Sequence, residues 1–228
     1  MKIEIFADAD LVARHAAALI AADARKAVAE RGSFVMAVSG GHTPWVMLRA
    51  LSEEKLPWDK VHLAQVDERI APPGDPDRNL THLRESMLQH APLPPEQIYA
   101  MPVESADLET AVKQYAAVLA KIAGSPPVLD LVHLGLGPDG HTASLVPGDA
   151  VLQVKDADVG LTGVYQGKRR MTLTYPTINR ARRILWLVTG SEKAVMLGRL
   201  LVGDPSIPAG RVNQERASVL ADQSAAAS

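Results

Sequence analysis

Short apolar runs alternate with stretches of helical spacing along the whole chain, and this alternation constrains the fold more than any other feature. The apolar run at 129–136 (Leu-Asp-Leu-Val-His-Leu-Gly-Leu) suits a strand buried on both faces, as central parallel strands are. The run at 34–38 reads as a second buried strand, and 3–6, 61–66, 170–174, 184–188 and 217–220 read as further ones. Between them, 10–31 carries Leu11, Ala16, Leu19, Ile20 and Ala27 at helical spacing, and 43–51, 79–90, 106–123 and 191–201 read as helices. Strands alternating with helices imply an α/β fold: a mostly parallel sheet with helices on both faces. With 228 residues, 47% of them hydrophobic, the chain can build one sizeable core, so 1–228 is expected to form a single domain. The short proline clusters at 72–73, 92–95 and 126–127 read as connections, and the small polar residues 224–228 are expected to fray.

In sheets of this kind ligands bind beyond the carboxyl ends of the strands. Four polar segments follow predicted strands. Ser39-Gly40-Gly41-His42-Thr43-Pro44 follows 34–38. Its paired glycines let backbone N–H groups converge, with Thr43 expected as N-cap and Pro44 as first helical residue, so the segment reads as an anion cradle or as a plain tight turn. Asp67-Glu68-Arg69 follows 61–66. Arginine there suits bidentate phosphate binding, although a charged triplet alone also reads as a solvated loop.

The third segment, Gly135-Leu136-Gly137-Pro138-Asp139-Gly140-His141-Thr142, follows the most apolar strand. It places a histidine, the side chain whose ordinary pKa suits proton transfer near neutrality, two residues after an aspartate that can shape the loop or orient the ring. Its three glycines also spell a dinucleotide-type G-x-G-x-x-G. Pro147-Gly148 arrives too soon for the helix which that fingerprint needs. The fourth segment, Thr189-Gly190-Ser191-Glu192-Lys193, follows 184–188. It puts a lysine in the first turn of a helix, where it opposes the helix dipole at a cost of a few tenths of a kcal/mol that a bound anion would offset. Arg170 is a further candidate donor, and both cations also read as ordinary surface charges.

Composition closes other routes. The formal charge of -2 gives no bulk attraction to nucleic acid or to acidic membranes, and 4% aromatic content is too low for stacked-base recognition. No cysteine is present, which removes disulfides, thiolate metal sites and cysteine nucleophiles and fits a reducing compartment. There is no HExxH, no third ligand beside paired histidines, no P-loop and no G-x-S-x-G elbow. The N-terminus is too short and too charged for a signal peptide, and no apolar run reaches the length of a membrane span. The inventory favours acid/base chemistry on a small phosphorylated substrate, with neither metal nor cofactor, in the cytoplasm.

Taken in order, the first three segments, the third extended through Ala143-Ser144-Leu145, together with Arg170-Met171-Thr172-Leu173-Thr174, resemble those of 6-phosphogluconolactonases over nearly the whole chain. The resemblance implies a Rossmann-like α/β fold shared with glucosamine-6-phosphate deaminases, and hydrolysis of 6-phospho-D-glucono-1,5-lactone in the oxidative pentose phosphate pathway; a monomer or weak dimer is expected. It implies His141 as general base and Gly40, Gly41, Arg69, Asn79, Arg170 and Lys193 around phosphate or sugar; Ser39, His42 and Thr43 of the same loop are further binding candidates, and Asp67 or Asp139 is a candidate to orient the imidazole. His42, Arg78 and Val146 depart from the family pattern. The deaminases carry a glutamate where Val146 stands, and an aliphatic group cannot relay a proton, so deaminase or isomerase activity is disfavoured. A sugar-phosphate sensor on the same fold would keep the cradle but would not need His141.

Overall fold

In the computed structural model, which describes residues 1–227, the alternation becomes an ordered series. It runs β1 (Lys2–Phe6), α1 (Ala9–Arg31), β2 (Phe34–Val38), α2 (His42–Ser52), β3 (Val61–Gln65), β4 (Asp67–Arg69), α3 (Asn79–Leu83), β5 (Ile98–Tyr99) and α4 (Leu108–Ala123). It continues through β6 (Leu131–Gly135), β7 (Val159–Leu161), β8 (Arg170–Leu173), α5 (Tyr175–Arg180), β9 (Arg183–Val188), α6 (Ala194–Leu201), β10 (Ala217–Asp222) and α7 (Gln223–Ala226). Seven strands form a parallel sheet in the order β1-β10-β9-β6-β2-β3-β5.

Successive strand residues point to opposite faces, and each face carries its own core. Phe34, Met36, Val38, Leu131, Leu185 and Leu187 pack under α1 and α2. Val35, Ala37, Val132, Leu134, Trp186 and Val188 pack under α4 and α6. The alanine stripe of α1 (Ala13, Ala16, Ala17, Ala21, Ala24) is fully buried on the first face, and such small residues let the helix lie close to the sheet and to α2. Asp8 caps that helix, accepting the Leu11 N–H at 2.8 Å, and Gly32 at φ 82° ends it.

Chain direction across the sheet reverses between β2 and β6: β3 and β5 follow β2 to one side, while β9 and β10 follow β6 to the other. The loops leaving β2 and β6 therefore diverge above neighbouring strands, which opens a crevice at that point.

Two predicted elements belong elsewhere. Asp67–Arg69 is a strand rather than a loop, and Arg170–Leu173 is not in the parallel sheet. Both lie in a separate antiparallel sheet ordered β4-β8-β7. Three charged residues carry no apolar period, so only the partner strand reveals β4. The predicted helix at 79–90 is helical in two geometries, α3 followed by a wider-wound π turn at Arg84–Leu88. Residues 224–226 do not fray, because Asp222 accepts the Ala225 N–H at 2.8 Å and caps α7; Ser228 lies outside the described residues. No described helix is long and apolar enough to cross a membrane.

Candidate active site

The carboxyl ends of β2, β6, β9 and β10 and the face of the antiparallel sheet enclose a cavity of about 540 Å³. That is within the range that holds a small organic ligand. Ser39, Gly40, Gly41, His42, Thr43, Asp67, Arg69, Asn79, His141, Arg170 and Lys193 all line it. Asp139 stands behind the wall.

The turn after β2 is held from below. Ser39 donates its N–H to His133 Nδ1 at 3.3 Å and its hydroxyl to the His133 carbonyl at 3.0 Å. His133 is fully enclosed on β6, and burial pushes its pKa down to about 3, so the ring is neutral and free to accept. The N-cap of α2 is Gly41, at φ 129°, and His42 is the first helical residue, which corrects the expectation that Thr43 caps and Pro44 begins the helix. The Thr43 hydroxyl is engaged by Thr189 at 2.6 Å, and Pro44 sits within the first turn, where its missing N–H costs nothing. With no side chain capping α2, its first-turn N–H groups remain directed at the cavity mouth. Gly40 must be glycine: a Cβ there would stand 2.0 Å from Asn79 Oδ1.

The register of the second sheet places Arg69 directly opposite Arg170. Like charges so placed repel, and the arrangement favours an anion between or beside them. Burial, and then the Arg69 charge, hold the Arg170 pKa below its ordinary value, with Asp67, Tyr165 and Asp77 partly offsetting. Arg69 is positioned by the Asp77 carbonyl at 2.6 Å and by Asn79 Oδ1 at 3.0 Å. Asn79 in turn donates to the Asp67 carbonyl at 2.9 Å. On the opposite side of β4, Glu68 is wholly buried and accepts from Gln65 Nε2 and from the N–H groups of Arg69, Asn79 and Leu80 at 2.7–3.0 Å. Arg78 balances that charge at 3.4 Å and reaches Glu104 at 2.6 Å. Arg78 is thus buried behind β4 and does not line the cavity.

The loop after β6 folds back on itself. The Gly137 N–H donates to the His141 carbonyl at 2.8 Å, the Gly140 N–H to the Gly137 carbonyl at 3.0 Å, and Gly140 has a φ of 82°. The imidazole lies flat on Gly137, where a Cβ would fall 2.0 Å from Nδ1. His141 Nδ1 is 2.5 Å from Asp139 Oδ1. Burial tends to raise the Asp139 carboxyl, but the hydrogen bonds and charge of His141, helped by Tyr165, hold it below the usual range and keep it ionised.

The two candidate orienting carboxylates are thereby distinguished. Asp139 touches the ring, whereas Asp67 is occupied by the Ser144 hydroxyl at 2.6 Å and by Asn79 Nδ2 at 3.3 Å. Asp67 instead ties the histidine loop to β4. Lys193 enters from the 3₁₀ turn Ser191–Lys193, its ammonium 3.9 Å from Glu192.

Sequence reasoning missed Tyr165, Ser144, Glu192 and Asp222. The last two line the cavity, and Asp222 accepts the Gly190 N–H at 3.1 Å. Asp222 ends the last strand of the sheet, which was the available signal. Val146 is buried and does not line the cavity, so the loop offers no carboxylate at that position. Among the described residues no cluster of three or more His, Asp or Glu is placed to hold a metal ion.

A family profile described as glucosamine-6-phosphate isomerases/6-phosphogluconolactonase matches residues 7–221. A 6-phosphogluconolactonase of Synechocystis is 37% identical over 203 residues, 87% of this chain and 84% of that protein. One from Mycobacterium tuberculosis is 37% identical over 239 aligned positions, covering 99% of this chain and 97% of that protein. The crystal structure of the Thermotoga maritima 6-phosphogluconolactonase superposes with a TM-score of 0.85 at 27% identity, over 97% of this chain and 98% of that one.

Proposed function

Because the chain belongs to the glucosamine-6-phosphate isomerase and 6-phosphogluconolactonase family, we propose that it hydrolyses 6-phospho-D-glucono-1,5-lactone to 6-phospho-D-gluconate, with His141 as the general base. The observation that carries this reading is the single cavity onto which both the carboxylate-backed imidazole of His141 and the opposed guanidinium groups of Arg69 and Arg170 open.

The phosphate docks between the first turn of α2 and the two arginines, with Lys193 adding charge from the far wall. That fixes the lactone carbonyl beside His141. Asp139 holds the proton on Nδ1, which leaves the Nε2 lone pair for the reacting water. Nε2 takes a proton as the water oxygen bonds to C1, and the carbonyl electrons move onto the oxyanion. The N–H groups of Gly137, Gly140 and Gly190 are already bonded, so the donors for it come from other groups that face the cavity. Collapse re-forms the carbonyl and breaks the bond to the ring oxygen, which receives the proton from Nε2. The acid formed ionises, so each turnover releases one proton. His141 supplies the base, so the step calls for no metal ion.

Val146 disfavours the amino-sugar reaction, since no carboxylate stands where that chemistry would need a second acid/base group. The same reading takes the chain to be a single domain over 1–228 that acts in the cytoplasm as a monomer or weak dimer.

The test is proton release on 6-phosphogluconolactone against the unphosphorylated lactone, with the spontaneous rate subtracted. A phosphate anchored on two guanidinium groups is worth at least about 10²-fold in kcat/KM. Equal rates on both substrates would remove the phosphate assignment, and binding without turnover would leave a sugar-phosphate sensor.

A further inference from the structure

The connection between β7 and β8 sends one aromatic side chain behind the cavity. Tyr165 is half-buried and does not line the cavity. Its hydroxyl donates to Asp139 Oδ2 at 2.9 Å, the carboxylate oxygen that His141 does not use. It also lies 3.4 Å from His141 Nδ1, and the two rings meet edge to face with centroids 5.5 Å apart. On the tyrosine ring sits the Arg170 guanidinium, 4.9 Å from the centroid.

The backbone gives this side chain little freedom. Tyr165 and Lys168 exchange N–H···O=C bonds of 3.0 and 3.2 Å around a turn in which Gln166 has φ 50° and Gly167 φ 79°. Lys168 is anchored to Asp75 at 3.1 Å and to Asp77 at 2.5 Å. The direction of the tyrosine–aspartate bond is unambiguous, because Asp139 is held ionised while burial, followed by Asp139 itself, keeps the phenol protonated.

We propose that Tyr165 is a positioning residue for His141: its hydroxyl fixes the outer oxygen of Asp139, so the β7–β8 hairpin sets where and how strongly the carboxylate grips the imidazole. The inference rests on His141 being the base. One side chain then supports both halves of the site, the acid/base pair through its hydroxyl and a phosphate cation through its ring. The two functions separate by substitution. Tyr165→Phe removes the hydroxyl and keeps the ring under Arg170, whereas Tyr165→Leu removes both.

Stripped of the phenol, Asp139 keeps more charge for the imidazolium, so His141 takes up its proton at higher pH. The other charged groups sharing that field are Asp67 and Arg69 on β4, Arg170 on β8, and His42, Glu192, Lys193 and Asp222 around the cavity; none changes in these variants.

The experiment uses the full chain with Tyr165→Phe, Tyr165→Leu and His141→Asn. It measures lactone turnover against pH, 6-phosphogluconate binding by calorimetry, and the His141 ring titration by NMR. In Tyr165→Phe, kcat falls about three- to tenfold while KM and product affinity stay within about twofold, since only the support of the base is lost. The ring titration and the acid limb of kcat/KM both move up by about half a pH unit. Tyr165→Leu shows the same kcat loss and also binds product more weakly.

Unchanged kcat and an unmoved ring titration in Tyr165→Phe overturn the proposal. So does a parallel loss of turnover and product affinity with the titration unmoved, which would mean that the residue merely holds the fold. Wild-type turnover in His141→Asn would instead remove the base assignment, while the NMR titration, which needs no turnover, still decides the link from Tyr165 to His141.

Discussion

Gly137→Ala isolates the placement of the imidazole from everything else in the site. The backbone at 137 is not in the left-handed region, so its φ does not exclude alanine. Its methyl group, however, would stand 2.0 Å from His141 Nδ1 and 2.2 Å from Cε1. Non-bonded contacts between such atoms settle near ~3.5 Å, so the ring must give way by about 1.5 Å. The 2.5 Å contact with Asp139 cannot survive a displacement of that size. A misplacement of about 1 Å costs on the order of 10²-fold in rate, and kcat is expected to fall by at least that much. The phosphate end lies on other elements, so KM and the affinity for 6-phosphogluconate should change by less than about threefold. The assay is proton release from the lactone in weak buffer, paired with product calorimetry and a melting curve. A variant turning over within about threefold of wild type would show that the ring position on Gly137 does not set the rate. Equal losses in turnover and product affinity would show a collapsed loop rather than a displaced base.

Arg69→Ala should weaken 6-phosphogluconate binding by about tenfold or more, as loss of a charge-assisted contact does, and leave the rate on the unphosphorylated lactone unchanged; calorimetry and the two-substrate assay check this. His133→Asn should flatten the acid side of the stability curve. Folding lowers the His133 pKa from 6.5 to about 3, so the neutral ring's contribution is complete above pH 6.5 and is lost as the pH falls toward 3. The unfolded chain binds one more proton across that window, a slope of about 1.4 kcal/mol per pH unit. Urea midpoints at pH 7, 6 and 5 should therefore fall more steeply for wild type than for the variant, and parallel curves would refute the neutral buried histidine.

Much of this architecture is legible in the chain because burial on both faces leaves a simple mark. Phe34–Val38 is apolar at every position and folds as the strand it predicts. The run at 129–136 becomes β6, and the polar segments fall at the strand ends because that is where a parallel sheet exposes backbone. What stays hidden depends on partners distant in sequence. Nothing in Asp67-Glu68-Arg69 announces a strand, since its partner is a hundred residues on, and a charged triplet ordinarily reads as solvated. Glu68 is buried because three backbone N–H groups and Gln65 converge on it, a capping role that spacing alone cannot show. Asp67 and Asp139 are equal candidates on paper. Only the turn from Gly137 to His141 swings one carboxylate onto the ring, while Ser144 takes up the other. Tyr165 sits in a turn with no periodic signal, and its meaning comes from the loop it reaches across to.

The most direct test of the whole account is the single-turnover rate of His141→Asn on 6-phosphogluconolactone, measured beside its affinity for 6-phosphogluconate. The account predicts a rate lower by about 10²-fold or more with product affinity preserved, since the guanidinium pair and the α2 turn are untouched. A rate equal to that of wild type would contradict it, because some other group would then be taking the proton from water.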